Sequence, residues 1–209
     1  MSAAPASNAY DPVFDSQKHY RTLLNCTARP GTIGQLDDVG LDVPESLNRA
    51  TALVTLALFS GDVSFFLQGG KAAALRFLGE TGATPAASDQ SDFLILEATD
   101  SDGALEALRL ARSGSLSFPE AGATVILQVT AVSPAPLSDC LELTLTGPGI
   151  ETRSTAFVSG VPTAMLELLR RRNREFPLGV DVIVTCNSLS AGPCMLSLPR
   201  TTSVDWKAV

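Results

Sequence analysis

"VSFFLQGGKAAALRFLGETGATPAASDQSDFLILEA", residues 63–98, decides the class of fold. VSFFLQ is rich in the β-branched and aromatic residues that suit a pleated surface, and it predicts a strand. KAAALRFL has good helix formers at helical spacing and closes near Gly79 or Gly82. DFLILEA is a short apolar run of the kind that is buried as a strand. Strand, helix and strand in succession favour an α/β fold over an all-helical or all-β one.

The same alternation extends in both directions. Upstream, Asp15 or Ser16 is placed to cap a helix whose inner face would carry Tyr20, Leu23, Leu24 and Ala28, and which Pro30 and Gly31 end. Ser46 is placed to cap a second helix, SLNRATALVTLALF, whose Leu47, Ala50, Leu53, Val54, Ala57 and Leu58 recur at helical spacing and require burial. Downstream, DGALEALRLARSG has an acidic start and a basic end, followed by Gly114, as the helix dipole prefers. ATVILQVTAV from Ala123, CLELTLTG from Cys140 and TRSTAFV from Thr152 predict strands separated by SPAP and GPG turns, with antiparallel pairing. Pro162 then opens the helix PTAMLELLRRRNREF. The chain ends in GVDVIVTC and CMLSLPRTT, two runs joined by a loop with Gly192 and Pro193. The expected architecture is a mixed sheet with helices on both faces, in a single α/β domain over residues 11–209 behind a flexible tail at residues 1–10.

Composition removes several functions. The net charge of -7 repels phosphate backbones, which argues against nucleic acid as a partner. No apolar run reaches the ~20 residues that a membrane helix needs, and the opening MSAAPASNAY has neither the basic start nor the apolar stretch of a secretion signal. Cys26, Cys140, Cys186 and Cys194 lack C-x-x-C spacing, so they are read as reduced cytoplasmic thiols filling small buried positions. Cys186 and Cys194 flank one hairpin and are the pair able to meet. His19 is the single histidine and has no nearby partner for base catalysis. It is read as a surface or half-buried helix residue. No metal site is expected from this inventory.

Catalytic motifs also fail on inspection. No serine stands in G-x-S-x-G. LQGGKAA departs from a phosphate loop at Phe65 and again at Ala72, and GPGIET has Thr152 where a dinucleotide fingerprint requires its third glycine. Pyridoxal chemistry needs an anchoring lysine, yet Lys18 and Lys71 lie near helix starts and Lys207 is near the end of the chain. Arg170, Arg171, Arg172 and Arg174 cluster at a helix end. There the dipole stabilises positive charge by ~0.3–1 kcal/mol each, so a solvated helix terminus is weighed against a site for an acidic partner or polyphosphate.

Five stretches together resemble one family, the H subunits (PhnH) of the bacterial carbon-phosphorus lyase system. They are FDSQKHYRTLLNCTARPG at 14–31, FPEAGATVILQV at 118–129, LTGPGI at 145–150, FPLGVDVIVTC at 176–186 and LPRTTSVD at 198–205. They occur in family order across nearly the whole chain, with Cys26 and Thr27 standing where the family usually has Ala and Met. The resemblance implies a fold like that of pyridoxal-phosphate-dependent transferases that has lost its cofactor site, with no cofactor retained. It further implies a homodimer inside a core complex with the G, I and J subunits. In that system methylphosphonate displaces adenine from the ribose of Mg-ATP, giving ribose 1-methylphosphonate 5-triphosphate. The I subunit carries the chemistry, and the G, H and L subunits are needed alongside it.

Three roles follow for comparison: a non-catalytic interaction subunit, a subunit binding nucleotide or phosphonate at its dimer seam or a partner interface, and an independent small-molecule enzyme. No catalytic residue is assigned. Arg21 and Arg29 lie roughly 80° apart around one helix. With Arg200, Thr201 and Thr202 of PRTT they form the candidate anion- or partner-binding set near the dimer interface, supported by Asp15, Gln17 and Asp181. The competing reading is that an arginine pairs with Asp15 or Asp181 to tie the fold together.

Overall fold

The computed structural model describes residues 10–188 and 192–209. The expected tail lies outside the described residues except for Tyr10. The order is α1 (Phe14–Ala28), β1 (Ile33–Gln35), α2 (Arg49–Leu58), β2 (Ser64–Leu67), α3 (Ala72–Gly79), β3 (Thr84–Pro85), β4 (Phe93–Glu97) and α4 (Ser101–Leu110). There follow β5 (Thr124–Gln128), β6 (Ala131–Ser133), β7 (Cys140–Thr146), β8 (Ser154–Ser159), α5 (Thr163–Arg172), β9 (Asp181–Ser188), β10 (Gly192–Leu198) and β11 (Ser203–Ala208).

The fold is α/β with a mixed sheet and helices, as expected. The seven-stranded sheet has the order β1-β10-β9-β5-β4-β2-β3. From β3 to β9 its strands are parallel, while β10 and β1 add antiparallel edges. Central strands alternate their apolar side chains between two clusters, as the two-residue period of a strand demands. Ile95, Ile126, Ile183 and Met195 join α1, α2 and α3 on one face. Leu94, Leu96, Val125, Val182 and Leu196 face α4, α5 and a second sheet on the other.

That second sheet corrects the expectation of a single one. β11-β7-β8-β6 forms a separate four-stranded antiparallel sheet, because β7 and β8 satisfy their ladders with each other and with β6 and β11. The run at 123–132 is not one strand. It breaks after Gln128, leaves the first sheet and joins the second as β6; the expected antiparallel pairing holds for β6 with β8, whereas β5 lies parallel between β4 and β9 in the first sheet. PRTT is not strand either: β10 stops at Leu198, a turn follows in which the Thr202 amide donates to Pro199 O, and β11 resumes at Ser203. Gly192 and Pro193 belong to β10 rather than to a loop, and Pro193 is accommodated next to an edge strand.

Helix starts and faces also differ in detail. Asp11, not Asp15 or Ser16, accepts from the amides of Val13 and Phe14 at the start of α1. The inner face of α1 is His19, Leu23 and Cys26, spaced four and three apart, so Tyr20 and Leu24 are half-exposed and Ala28 is exposed. His19 is therefore buried, at 2% exposure, because the shared Leu23 allows two candidate stripes and packing chose the one facing β10 and α2. Asn48 rather than Ser46 caps α2, accepting from the Thr51 amide. α5 ends at Arg172, four residues before the expected stop, where the Asn173 side chain turns to bond both polar groups of Val180.

Candidate functional site

A cleft of about 660 Å³ opens where the end of α5 meets the turn between β10 and β11. Leu166, Leu169, Val182 and Leu198 form apolar wall, and Phe176 stands beside them with 67% of its surface exposed. The polar lining comes from two segments distant in sequence, the arginine-rich end of α5 and PRTT.

Arg200 is the organising residue. Its Nε and Nη2 form a forked pair with the Asp181 carboxylate, with Nη2 to Oδ2 at 2.6 Å, and its backbone amide donates to the same carboxylate. Nη1 donates to Pro119 O at 2.8 Å and to Pro177 O at 3.4 Å. One guanidinium thus ties together β9, the PRTT turn and two Phe-Pro segments. A side chain at Gly122 would meet Arg200 Nη1 and Gly179 O, each at 2.7 Å, so the close approach requires glycine there. Asp181 is one of the two carboxylates that the tie reading offered an arginine, and Nε, Nη1 and Nη2 of Arg200 each have a partner within the fold.

The arginines of α5 divide in the same way. Arg170 pairs with Asp205, donates to Val204 O at 2.9 Å and lies 4.5 Å over the Trp206 ring. Arg172 donates to the free carbonyls of Arg109 and Ala111 beyond the last turn of α4 and to Ser113 Oγ, an arginine-made cap. Arg171 approaches only Glu167, at 3.8 Å. Arg174 is exposed, lines the cleft and has no ion-pair or hydrogen-bond partner among the described residues. Thr202 is 7% exposed, also lines the cleft, and its Oγ1 is a buried oxygen without a partner among them.

The remaining candidates are spread more widely. Gln17, Arg21 and Arg29 are exposed on α1 and do not line the cleft, and Asp15 accepts from the Asp11 amide and neighbours Lys18 at 3.7 Å. The end of α1 does press on the site's rim. Gly149 packs so closely on Ala28 O and Pro30 that a side chain would stand 2.2 Å from that carbonyl, while the adjacent Pro148 lines the cleft and Gly147 abuts Thr201 O. All five segments that carried the resemblance therefore meet around one place. The sequence flagged Arg170, Arg174, Arg200, Thr201 and Thr202 but not their meeting, and it missed Asn173, Phe176 and Asp205. The two Phe-Pro pairs were the available signal.

Two other polar features lie elsewhere. His19 Nε2 is 3.1 Å from Asp37 O, its ring stacks on Tyr10, and burial pushes its pKa below the usual range. Cys186 and Cys194 are directly opposed on β9 and β10 with sulfurs 3.1 Å apart, as free thiols. Their shared hydrogen bond, followed by burial, holds Cys186 protonated, and the same bond pulls Cys194 down.

Fold and cleft define an α/β protein built around an arginine-organised recess. The chain matches the family "Bacterial phosphonate metabolism protein (PhnH)" over residues 8–205, and it belongs to that family. It is 30% identical over 199 residues to "Alpha-D-ribose 1-methylphosphonate 5-triphosphate synthase subunit PhnH" of Rhizobium meliloti (strain 1021), covering 93% of this chain and 92% of the relative. It is 32% identical over 209 residues to "Putative C-P lyase subunit protein HtxG" of Stutzerimonas stutzeri, covering 99% and 95%.

Proposed function

We propose that this chain is an accessory subunit of a bacterial carbon-phosphorus lyase assembly. It serves the synthesis of ribose 1-methylphosphonate 5-triphosphate from Mg-ATP and methylphosphonate, with the G, I and L subunits, and does not itself carry the reacting groups. The observation that carries this reading is the match along nearly the full length of two relatives that are named as subunits. The engagement of Arg200 supports it further, since a guanidinium held by one carboxylate and two carbonyls of its own fold keeps a surface in shape.

The finer proposals concern assembly. The chain forms a homodimer and docks the G, I and J subunits, in the cytoplasm, as one domain over residues 11–209 whose ancestry lies with pyridoxal-dependent transferases. Phe14, Tyr20 and Leu24 leave an apolar stripe on the outer face of α1, next to Gln17 and Arg21, which supports a docking role for that helix and for Arg21 and Arg29. Among the described residues no helix is long and apolar enough to cross a membrane.

The test is affinity purification of the tagged chain from cells growing on methylphosphonate as phosphorus source. Recovery of the G, I and J subunits is expected, and Arg21→Met and Arg29→Met should weaken it without lowering thermal stability. A chain that emerges alone and turns over a metabolite by itself would refute the accessory role.

A further inference from the structure

Among the described residues, the cleft has one arginine to spare. Of its three arginines, Arg200 is consumed by Asp181 and two carbonyls, and Arg170 by Asp205, Val204 O and Trp206. Arg174 has no partner among the described residues. Asn173 is spent on Val180. The surrounding wall of Leu166, Leu169, Val182 and Leu198 leads to the exposed Phe176 ring. The volume of about 660 Å³ falls within the range that holds small organic molecules.

We infer that this cleft binds a small organic molecule with an apolar body and a single anionic head, its body on Leu166, Leu169 and Phe176 and its head answered by Arg174. Charge selects the class. After internal pairing one guanidinium remains, which suits one carboxylate or phosphonate group. A triphosphate would bring three or four negative charges beside a single free arginine and the Asp205 carboxylate, so the site discriminates against it. This inference does not depend on the accessory-subunit reading, since it concerns a recess made by one chain alone.

Trp206, the only tryptophan, lies 4.5 Å beneath Arg170, which lines the cleft, and its fluorescence serves as the probe of occupancy. The full chain is titrated with phenylphosphonate, phenylacetate, methylphosphonate and ATP. Saturation by phenylphosphonate, phenylacetate or both is expected with Kd of about 1 mM or below, and whichever of the two binds tighter identifies the head group. Methylphosphonate should bind at least about tenfold more weakly because it lacks the apolar body. Arg174→Gln should weaken the aryl anions about tenfold or more with an unchanged melting temperature, since that side chain holds nothing in the fold. Absence of saturation by both aryl anions, binding indifferent to Arg174→Gln, or tighter binding of ATP would each overturn the assignment.

Discussion

The two faces of the seven-stranded sheet are filled by different means. On the helix side polar groups penetrate the core: Gln128 Oε1 accepts from the Asn48 amide at 2.6 Å, the Asn48 side chain reaches Thr185 O, and Thr51 and Thr185 share a 2.7 Å hydroxyl bond. His19 is buried on the same side. On the other side the second sheet, α4 and α5 enclose an almost purely aliphatic layer. Directional bonds fix where α2 may sit, whereas apolar contact fixes only that the layers touch, and where the layers part it leaves a recess. The cleft lies at that parting.

Four substitutions or conditions sharpen this contrast. The largest loss should come from Leu96→Ala in the aliphatic layer, about 3–5 kcal/mol in urea unfolding, because rigid neighbours on both sheets cannot collapse into the gap. A cost below about 2 kcal/mol would mean the layer is loosely packed. Arg200→Met should follow at about 3 kcal/mol, since it strands Asp181 and two proline carbonyls, discounted for the partial exposure of Asp181. A double variant with Asp181→Asn should lose much less than the sum, as members of one network do.

Asn48→Ala removes the cap of α2 and its bond to β9 together, and about 1–2 kcal/mol is expected. The smallest effect should be that of pH on His19. Its folded pKa lies below the unfolded value of 6.5, so the unfolded chain gains the proton first as pH falls. The stability owed to neutral His19 is therefore complete above that pH and is lost as pH falls through and below it toward the folded pKa. Urea midpoints at about pH 7.5 and 5.5 should differ more in the parent than in His19→Gln, and equal slopes would mean His19 stays hydrated.

Arg200 shows how far the sequence was legible at the site. Its carboxylate partner Asp181 is one of the two acids that the sequence offered as a tie for an arginine, but nothing in the sequence assigned it to Arg200 rather than to Arg21 or Arg29. That both Phe-Pro carbonyls would converge on the same guanidinium was not legible, since Pro119 and Pro177 belong to separate connections with no pairing signal. Arg174 carries the opposite lesson. In sequence it is the fourth member of an arginine cluster at a helix end; Arg170 and Arg172 have partners on β11 and α4 that no local pattern names, while Arg171 faces Glu167 one turn back on the same helix.

Local periodicity and punctuation by themselves determined the alternation of helices and strands, the strand-helix-strand unit of β2, α3 and β4, and the absence of familiar catalytic motifs. Those properties depend on residues a few positions apart. The division into two sheets, the face α1 turns inward, and which arginines of the cleft are paired within the described fold were decided only by tertiary structure. Each is a competition among partners distant along the chain, and it is settled by desolvation and hydrogen-bond geometry once the layers have packed.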